Sequence, residues 1–266
     1  MNITTAHLIC YSPTRTTFTT LEHIAKGLGV AETKPLDLTQ PPEKTAPSVV
    51  IEEGIAVIGA PVYAGRIAPV AAERLKAVRG AGTPAVIVAV YGNRHYDNAL
   101  FELKTIAENS GFKVVAAAAL LGEHSFSTQE KPIAQGRPDD KDKAAAVSFG
   151  ADVADKLKGR SDLSDMAPVT VPGELPEGPY AGPGNIAPDW KASACALCGL
   201  CAQACPTGTI TVDKAVTFDP SRCTVCCACV KTCPKGALAF NQPKIAHIAG
   251  VLHQNCRQRR EPELFL

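Results

Sequence analysis

Cys195-Ala196-Leu197-Cys198-Gly199-Leu200-Cys201-Ala202-Gln203-Ala204-Cys205-Pro206 and Cys223-Thr224-Val225-Cys226-Cys227-Ala228-Cys229-Val230-Lys231-Thr232-Cys233-Pro234 carry one pattern twice. In each run the cysteines follow at x2, x2 and x3 intervals, and a proline comes after the fourth. Each position of the second run lies 28 residues after its counterpart in the first. The match continues past the prolines, where Thr207-Gly208-Thr209-Ile210 answers Lys235-Gly236-Ala237-Leu238. Self-similarity at a fixed period marks an internal duplication. Residues 191–242 are therefore expected to form a small α+β unit.

The spacing is that of two 4Fe-4S clusters. A cubane needs four thiolates, and three cysteines at x2 intervals wrap three of its iron corners. The fourth ligand, just before a proline, comes from the other copy. One cluster is thus assigned to Cys195, Cys198, Cys201 and Cys233, the other to Cys223, Cys226, Cys229 and Cys205. Crossed ligation fastens the halves together and lets a short segment hold a fold without a large core. Structural zinc would use ligand pairs separated by a longer spacer. A disulfide framework would imply an oxidising compartment.

Working outward, the chain has 266 residues and 11 cysteines, enough length for two domains. Its formal net charge of +1 gives no sign of a nucleic-acid binder. The start, MNITTAHLICYSPT, has no basic flank or long apolar region, and no apolar run approaches the ~18 residues of a membrane span. Cysteines used as cluster ligands suit a reducing setting, so the expectation is a cytoplasmic chain without a membrane span.

Ahead of the cysteines, apolar runs at Ala6–Tyr11, Ile55–Ala60, Ala85–Tyr91 and Lys113–Leu121, with a weaker one at Leu36–Leu38, read as strands. Helical spacing recurs over Thr16–Leu28, Val70–Val78, Asn98–Ser110 and Lys141–Leu157. Continuous apolar strands alternating with helices predict an α/β fold with a parallel sheet covered on both faces. Residues 1–158 form this first domain. A Pro/Gly-rich connection spans 159–190, with six prolines and four glycines between Ser161 and Trp190. The tail, 243–266, has apolar positions at Ile245, Ile248, Val251 and Leu252 and ends in Leu264-Phe265-Leu266; it is expected to pack back on the protein.

In such a sheet a ligand sits outside the carboxyl ends of the strands. After the first strand come Ser12, Pro13, Thr14, Arg15, Thr16 and Thr17, four hydroxyls and an arginine ahead of a helix. A helix cap needs one hydroxyl; four, with free N–H groups behind them, suit a phosphate. Pro61, Val62, Tyr63, Ala64 and Gly65 follow the third strand, and Tyr91, Gly92, Asn93, Arg94, Tyr96 and Asp97 the fourth. Aromatics with backbone polar groups at one rim suit a flat heteroaromatic ring. Together the three loops point to FMN. Gly-x4-Gly-Lys is absent, and no Gly-x-Gly-x-x-Gly follows a strand, which argues against a nucleotide triphosphate or a dinucleotide.

These loops, with Gly122-Glu123-His124-Ser125, Gly136-Arg137-Pro138-Asp139 and the Arg260–Leu266 end, resemble the flavodoxin–ferredoxin fusion proteins, the EFR-family ferredoxins. The resemblance covers nearly the whole chain. It implies a flavodoxin-like doubly wound sheet of five parallel strands in the order 2-1-3-4-5, FMN in the three loops and a dicluster ferredoxin domain. Arg15 departs from the pattern, which has glycine there.

Cys10 reads as a buried apolar residue, Cys227 and Cys256 as non-ligands, and His95, Glu123 and His124 as ordinary polar groups. The Arg257–Arg260 run reads as a solvated segment. No nucleophile–base pair stands out. The expected function is electron transfer that couples FMN to two 4Fe-4S clusters, with redox proteins as partners and a homodimer left open. The alternatives are an FMN-dependent reductase fed by its own clusters, and a cluster-only carrier whose first domain docks a partner.

Overall fold

The computed structural model describes residues 3–40, 49–180, 182 and 184–266. The parts of the terminal and linker readings that rest on Met1, Asn2, Ala181 and Pro183 lie outside them. In chain order the first half runs β1 (Thr5–Cys10), α1 (Thr16–Leu28), β2 (Glu32–Asp37), β3 (Val49–Ile51), β4 (Ile55–Tyr63), β5 (Arg66–Ile67), α2 (Pro69–Leu75), β6 (Val78–Gly80), β7 (Pro84–Tyr91), α3 (Ala99–Asn109), β8 (Lys113–Leu121) and α4 (Asp140–Leu157). The rest comprises β9 (Asp189–Trp190), α5 (Leu200–Ala204), β10 (Ile210–Val212), β11 (Val216–Phe218), α6 (Ala228–Thr232), β12 (Leu238–Ala239), α7 (Pro243–Asn255) and β13 (Glu263–Phe265).

Five parallel strands lie in the order β2-β1-β4-β7-β8, the flavodoxin-like 2-1-3-4-5 arrangement. Every residue of β7 is buried, as a central strand covered on both faces requires. One face packs on α1 and α4 through Leu21, Ile24, Phe149 and Val153. The other packs on α2 and α3 through Leu75, Leu100 and Leu103. Helices α1 and α4 approach backbone to backbone: a Cβ on Gly27 would strike the Val147 carbonyl, and one on Gly150 the Ile24 carbonyl.

The sheet differs from the expected one at its edges, and short β5 adds antiparallel to β4. The second strand starts at Glu32, earlier than the apolar Leu36–Leu38 run indicated, because this edge strand is half polar and largely exposed. On the opposite edge β13 adds antiparallel to β8, pairing Leu264 with Ala118. Residues 159–188 carry no helix or strand among those described, yet they lie against the first half: Met166, Val169 and Val171 are buried in its two cores.

In the cysteine segment the duplication is visible in the backbone. Left-handed φ values recur at Leu197 and Val225, at Gly199 and Cys227, and at Gly208 and Gly236. Helices α5 and α6 occupy equivalent places and contact each other. Among the described residues no helix is long and apolar enough to cross a membrane.

Candidate functional site

The first loop is held open by its own hydroxyls. Ser12 Oγ accepts from the Phe18 N–H at 3.1 Å, and the Ser12 N–H donates to Thr39 Oγ1 at 2.7 Å. The first-turn N–H groups of α1 have no carbonyl within the helix to pair with. Thr14 Oγ1 and Thr16 Oγ1 lie 3.3 Å apart beside them.

Ser12, Thr14, Thr16 and Thr17 line a cavity of about 480 Å3. Pro61, Val62, Tyr63 and Ala64 form a second wall, and Tyr91, Gly92 and Arg94 a third. The volume is that of a small-molecule or cofactor site. Hydroxyls and helix N–H groups at one end and tyrosines along the sides fit the phosphate and the flat ring of FMN.

Five residues expected at the cavity do not line it. Arg15 adopts φ 66° and turns outward, 3.9 Å over the Phe18 ring and ion-paired to Asp37 at 3.6 Å. Gly65 backs onto Asp97, which pairs with Arg94. Asn93 ties down the tail, donating to the Cys256 and Gln258 carbonyls at 2.7 and 2.8 Å and accepting from the Arg260 N–H. Tyr96 stacks on His95 and donates to Glu263 Oε2 at 2.7 Å. Apart from Gly65, their side chains are spent on contacts away from the cavity, which loop position in a sequence does not reveal.

Other linings come from elements that the three-loop reading did not include. Glu123, His124 and Phe126 follow β8. Tyr180 comes from the linker, Thr224 and Val225 from the cysteine segment, and Lys244, Ile245, Ile248 and Leu252 from α7. The apolar spacing in 243–252 was the one readable signal for the last group.

His124 is more than an ordinary polar group. Its Nδ1 accepts from the Phe126 N–H at 3.0 Å, which leaves the proton on Nε2. Burial, then Lys231 and Arg94, push its pKa down to about 4, so the ring is neutral at pH 7. Burial alone would raise Glu123, but hydrogen bonds from Lys231 and the Gly136 N–H outweigh it and lower the carboxyl. The Lys231 Nζ–Glu123 Oε1 contact, 2.8 Å, ties α6 to the loop after β8.

The cysteines fall into two cages. Cys195, Cys198, Cys201 and Cys233 line one small cavity; Cys205, Cys223, Cys226 and Cys229 line another. Each set combines three cysteines of one run with the last of the other. Backbone N–H groups reach the sulfurs: Leu197 to Cys195 at 3.4 Å, Ala237 to Cys233 at 3.3 Å and Thr209 to Cys205 at 3.5 Å. Such donors suit thiolates bound to iron. Burial pushes the Cys226 thiol up to about 11, a penalty that coordination to a cation would reverse. Cys227 also borders the second cavity, but it stands at the left-handed position held by Gly199 in the first run, and its Sγ faces the Val225 carbonyl. Among the described residues no three His, Cys, Asp or Glu side chains surround a point that would hold a single ion.

Thr224 lines both the second cage and the 480 Å3 cavity. Arg74 binds the two parts there as well, donating to the Leu38 and Thr39 carbonyls and, at 2.6 Å, to the Pro206 carbonyl. Burial, and after it the nearby Cys226, hold the Tyr11 pKa well above its ordinary value, against the opposing pull of Thr224 and Arg74.

Residues 190–237 match the family of 4Fe-4S dicluster domains. No curated protein matches the chain. Among solved structures, a flavodoxin from the domain Archaea is 14% identical, covering 58% of this chain and 99% of its own, with a TM-score of 0.38. The flavodoxin of Streptococcus pneumonia TIGR4 is 12% identical, with coverage of 57% and 99% and a TM-score of 0.40. The rubredoxin oxygen:oxidoreductase of Desulfovibrio gigas is 14% identical; the match covers 58% of this chain but 36% of that one, with a TM-score of 0.42. With its own sheet order beside the family match, the chain joins a flavodoxin-like α/β part to a 4Fe-4S dicluster domain, as in a flavodoxin–ferredoxin fusion.

Proposed function

We propose that the chain is an electron-transfer protein in which residues 1–158 bind FMN and residues 191–242 bind two 4Fe-4S clusters, with 159–190 and 243–266 fixing one part on the other. FMN exchanges two electrons and can release them singly, while cubanes relay one at a time. The protein's own contribution is placement and tuning. Ser12, Thr14, Thr16, Thr17 and the α1 N-terminus would hold the phosphate. Tyr63, Tyr91 and the Gly92 backbone would flank the ring, and His124 would offer it a neutral Nε2–H donor.

The observation that carries this reading is Thr224. It stands between two cysteines of the second cage and also walls the cofactor cavity. Tunnelling falls steeply with distance, and one residue is a short separation.

Anaerobically purified protein tests the proposal. About eight iron, eight acid-labile sulfide and one FMN per chain are expected. After rapid partial reduction, electrons should redistribute between flavin and clusters at a rate independent of protein concentration. A rate proportional to concentration would mean transfer between molecules and would overturn the internal relay. Full cluster content with no FMN uptake would favour the cluster-only carrier.

A further inference from the structure

The two cages differ in their access to solvent. In the second, Cys205, Cys226 and Cys229 are buried. In the first no cysteine is buried, and Cys198 is exposed. Thr224 joins the second cage to the cofactor cavity, so the first cage lies at the far end of the line, against solvent.

The surface around that end has a distinct chemistry. Leu197 and Leu200, 41% and 38% exposed, line the first cage and face outward. Large exposed apolar side chains grouped on one cofactor site point to a partner. Lys191, Lys214 and Lys235 are exposed, and Lys235 also lines that cage. Lys191 is fixed by its N–H bond to the Ala237 carbonyl, Lys235 follows Cys233-Pro234, and Lys214 sits in the turn between Val212 and Val216, which line the cage. Two acidic residues lie beside them, Asp213, next to Lys214, and Asp189, whose carboxylate is engaged by the Asn241 N–H and the Gln242 side chain. An apolar centre with a basic rim is complementary to an acidic face, and such charges act on encounter rate and orientation more than on tightness.

We propose that this face, centred on Leu197 and Leu200 with Lys191, Lys214 and Lys235 around it, is the docking site of an acidic one-electron carrier protein. The proposal rests on the reading that the cages hold clusters. In each productive encounter one electron leaves the reduced carrier and enters the Cys195/Cys198/Cys201/Cys233 cluster. The carrier is oxidised by one electron, the cluster is reduced by one, and no bond or proton moves.

The test uses the full-length, cluster-loaded protein, with iron, sulfide and FMN content measured first. An acidic two-cluster ferredoxin, reduced beforehand, serves as the probe carrier; photoreduced deazaflavin, small and uncharged, is the control reductant. Cluster bleaching is followed by stopped flow in the wild type and in the Lys191→Glu/Lys214→Glu variant. The ferredoxin reaction of the variant is expected to be about tenfold slower at low salt, with the difference closing as salt rises. Deazaflavin should reduce both proteins alike. Equal ferredoxin rates and salt slopes in the two proteins would overturn the proposal. So would a variant slowed equally towards deazaflavin, since the change would then lie in the cluster itself. Clusters that bleach with ferredoxin while the flavin never follows would sink the internal relay and leave the docking site standing.

Discussion

Arg15 shows how a single residue can depart from a pattern and still leave the hydroxyls of its loop lining the cavity. Its φ of 66° is the left-handed conformation that glycine adopts readily and an L side chain adopts at a cost of about 1–2 kcal/mol. The sequence alone left the guanidinium free to enter the phosphate loop or to crowd it. The structure turns it outward to Asp37 and Phe18, so the hydroxyls keep the cup. His124 is the opposite case, a residue with no motif around it whose place is set by the fold. Its folded pKa of about 4 lies below the ordinary 6.5, because burial disfavours the charged ring. The unfolded chain therefore takes up the proton first. Its contribution to stability is complete above pH 6.5 and is lost as pH falls from there towards 4. Between pH 7 and 5 the wild type should lose about 2 kcal/mol more than His124→Gln. Denaturant melts at the two pH values measure this, and parallel losses in both proteins would show that His124 is not the group that titrates.

Among the elements, α4 has the most heavily supported start. Asp139 caps it, accepting from the Lys141 and Asp142 N–H groups, and the Asp142 carboxylate accepts from the Asp139 N–H in return. Behind the cap Asp142 is buried and ion-paired with Arg137, itself buried. Arg259 reaches back from the tail to Asp139 at 2.5 Å and to Asp142 at 3.1 Å. The basic run at 257–260 is exposed along its length, as a solvated segment is, but Arg259 within it acts as a clamp. Asp142→Ala would leave Arg137 buried without its partner, and a loss of about 3–5 kcal/mol is expected in chemical denaturation. A loss below about 1 kcal/mol would mean that water or the Asn93 side chain takes over the guanidinium. The legible elements were those with a period: β1, β4, β7, β8 and the long helices announce themselves by burial on one or both sides. β2 and β13 did not. The first is polar at an edge, and the second is three residues whose partner, β8, lies far away in sequence. The two cysteine sets could be read from spacing, since four thiolates around a cubane would leave little freedom in it. The cavity was legible only where its walls are loops that end strands; the linker and α7 reach it through tertiary packing.

At the scale of the whole molecule the two parts are stitched at many separated points. Arg74 holds Pro206, Lys231 holds Glu123, His253 reaches the Pro132 carbonyl, and β13 completes the sheet. A chain cut after residue 158 loses all of these, together with the α7 side of the cofactor cavity. It should still fold, because both cores flanking the sheet are built almost wholly from residues before the cut. It should bind FMN at least tenfold more weakly than the full chain and self-associate through the uncovered β8 edge. Titration of the fragment with FMN and sedimentation at several concentrations check this; a monomer of full affinity would show that neither α7 nor β13 matters to the site. The pairing of β13 with β8 also bears on how the protein is made. The cysteine segment lies between the two strands in sequence, so as the chain leaves the ribosome β8 waits with one edge open until the cysteines have been synthesised. A molecule whose cysteine segment fails to assemble cannot easily bring β13 home. It would keep a bare sheet edge in view of chaperones and proteases, and a failure to mature would be advertised some distance from where it arose.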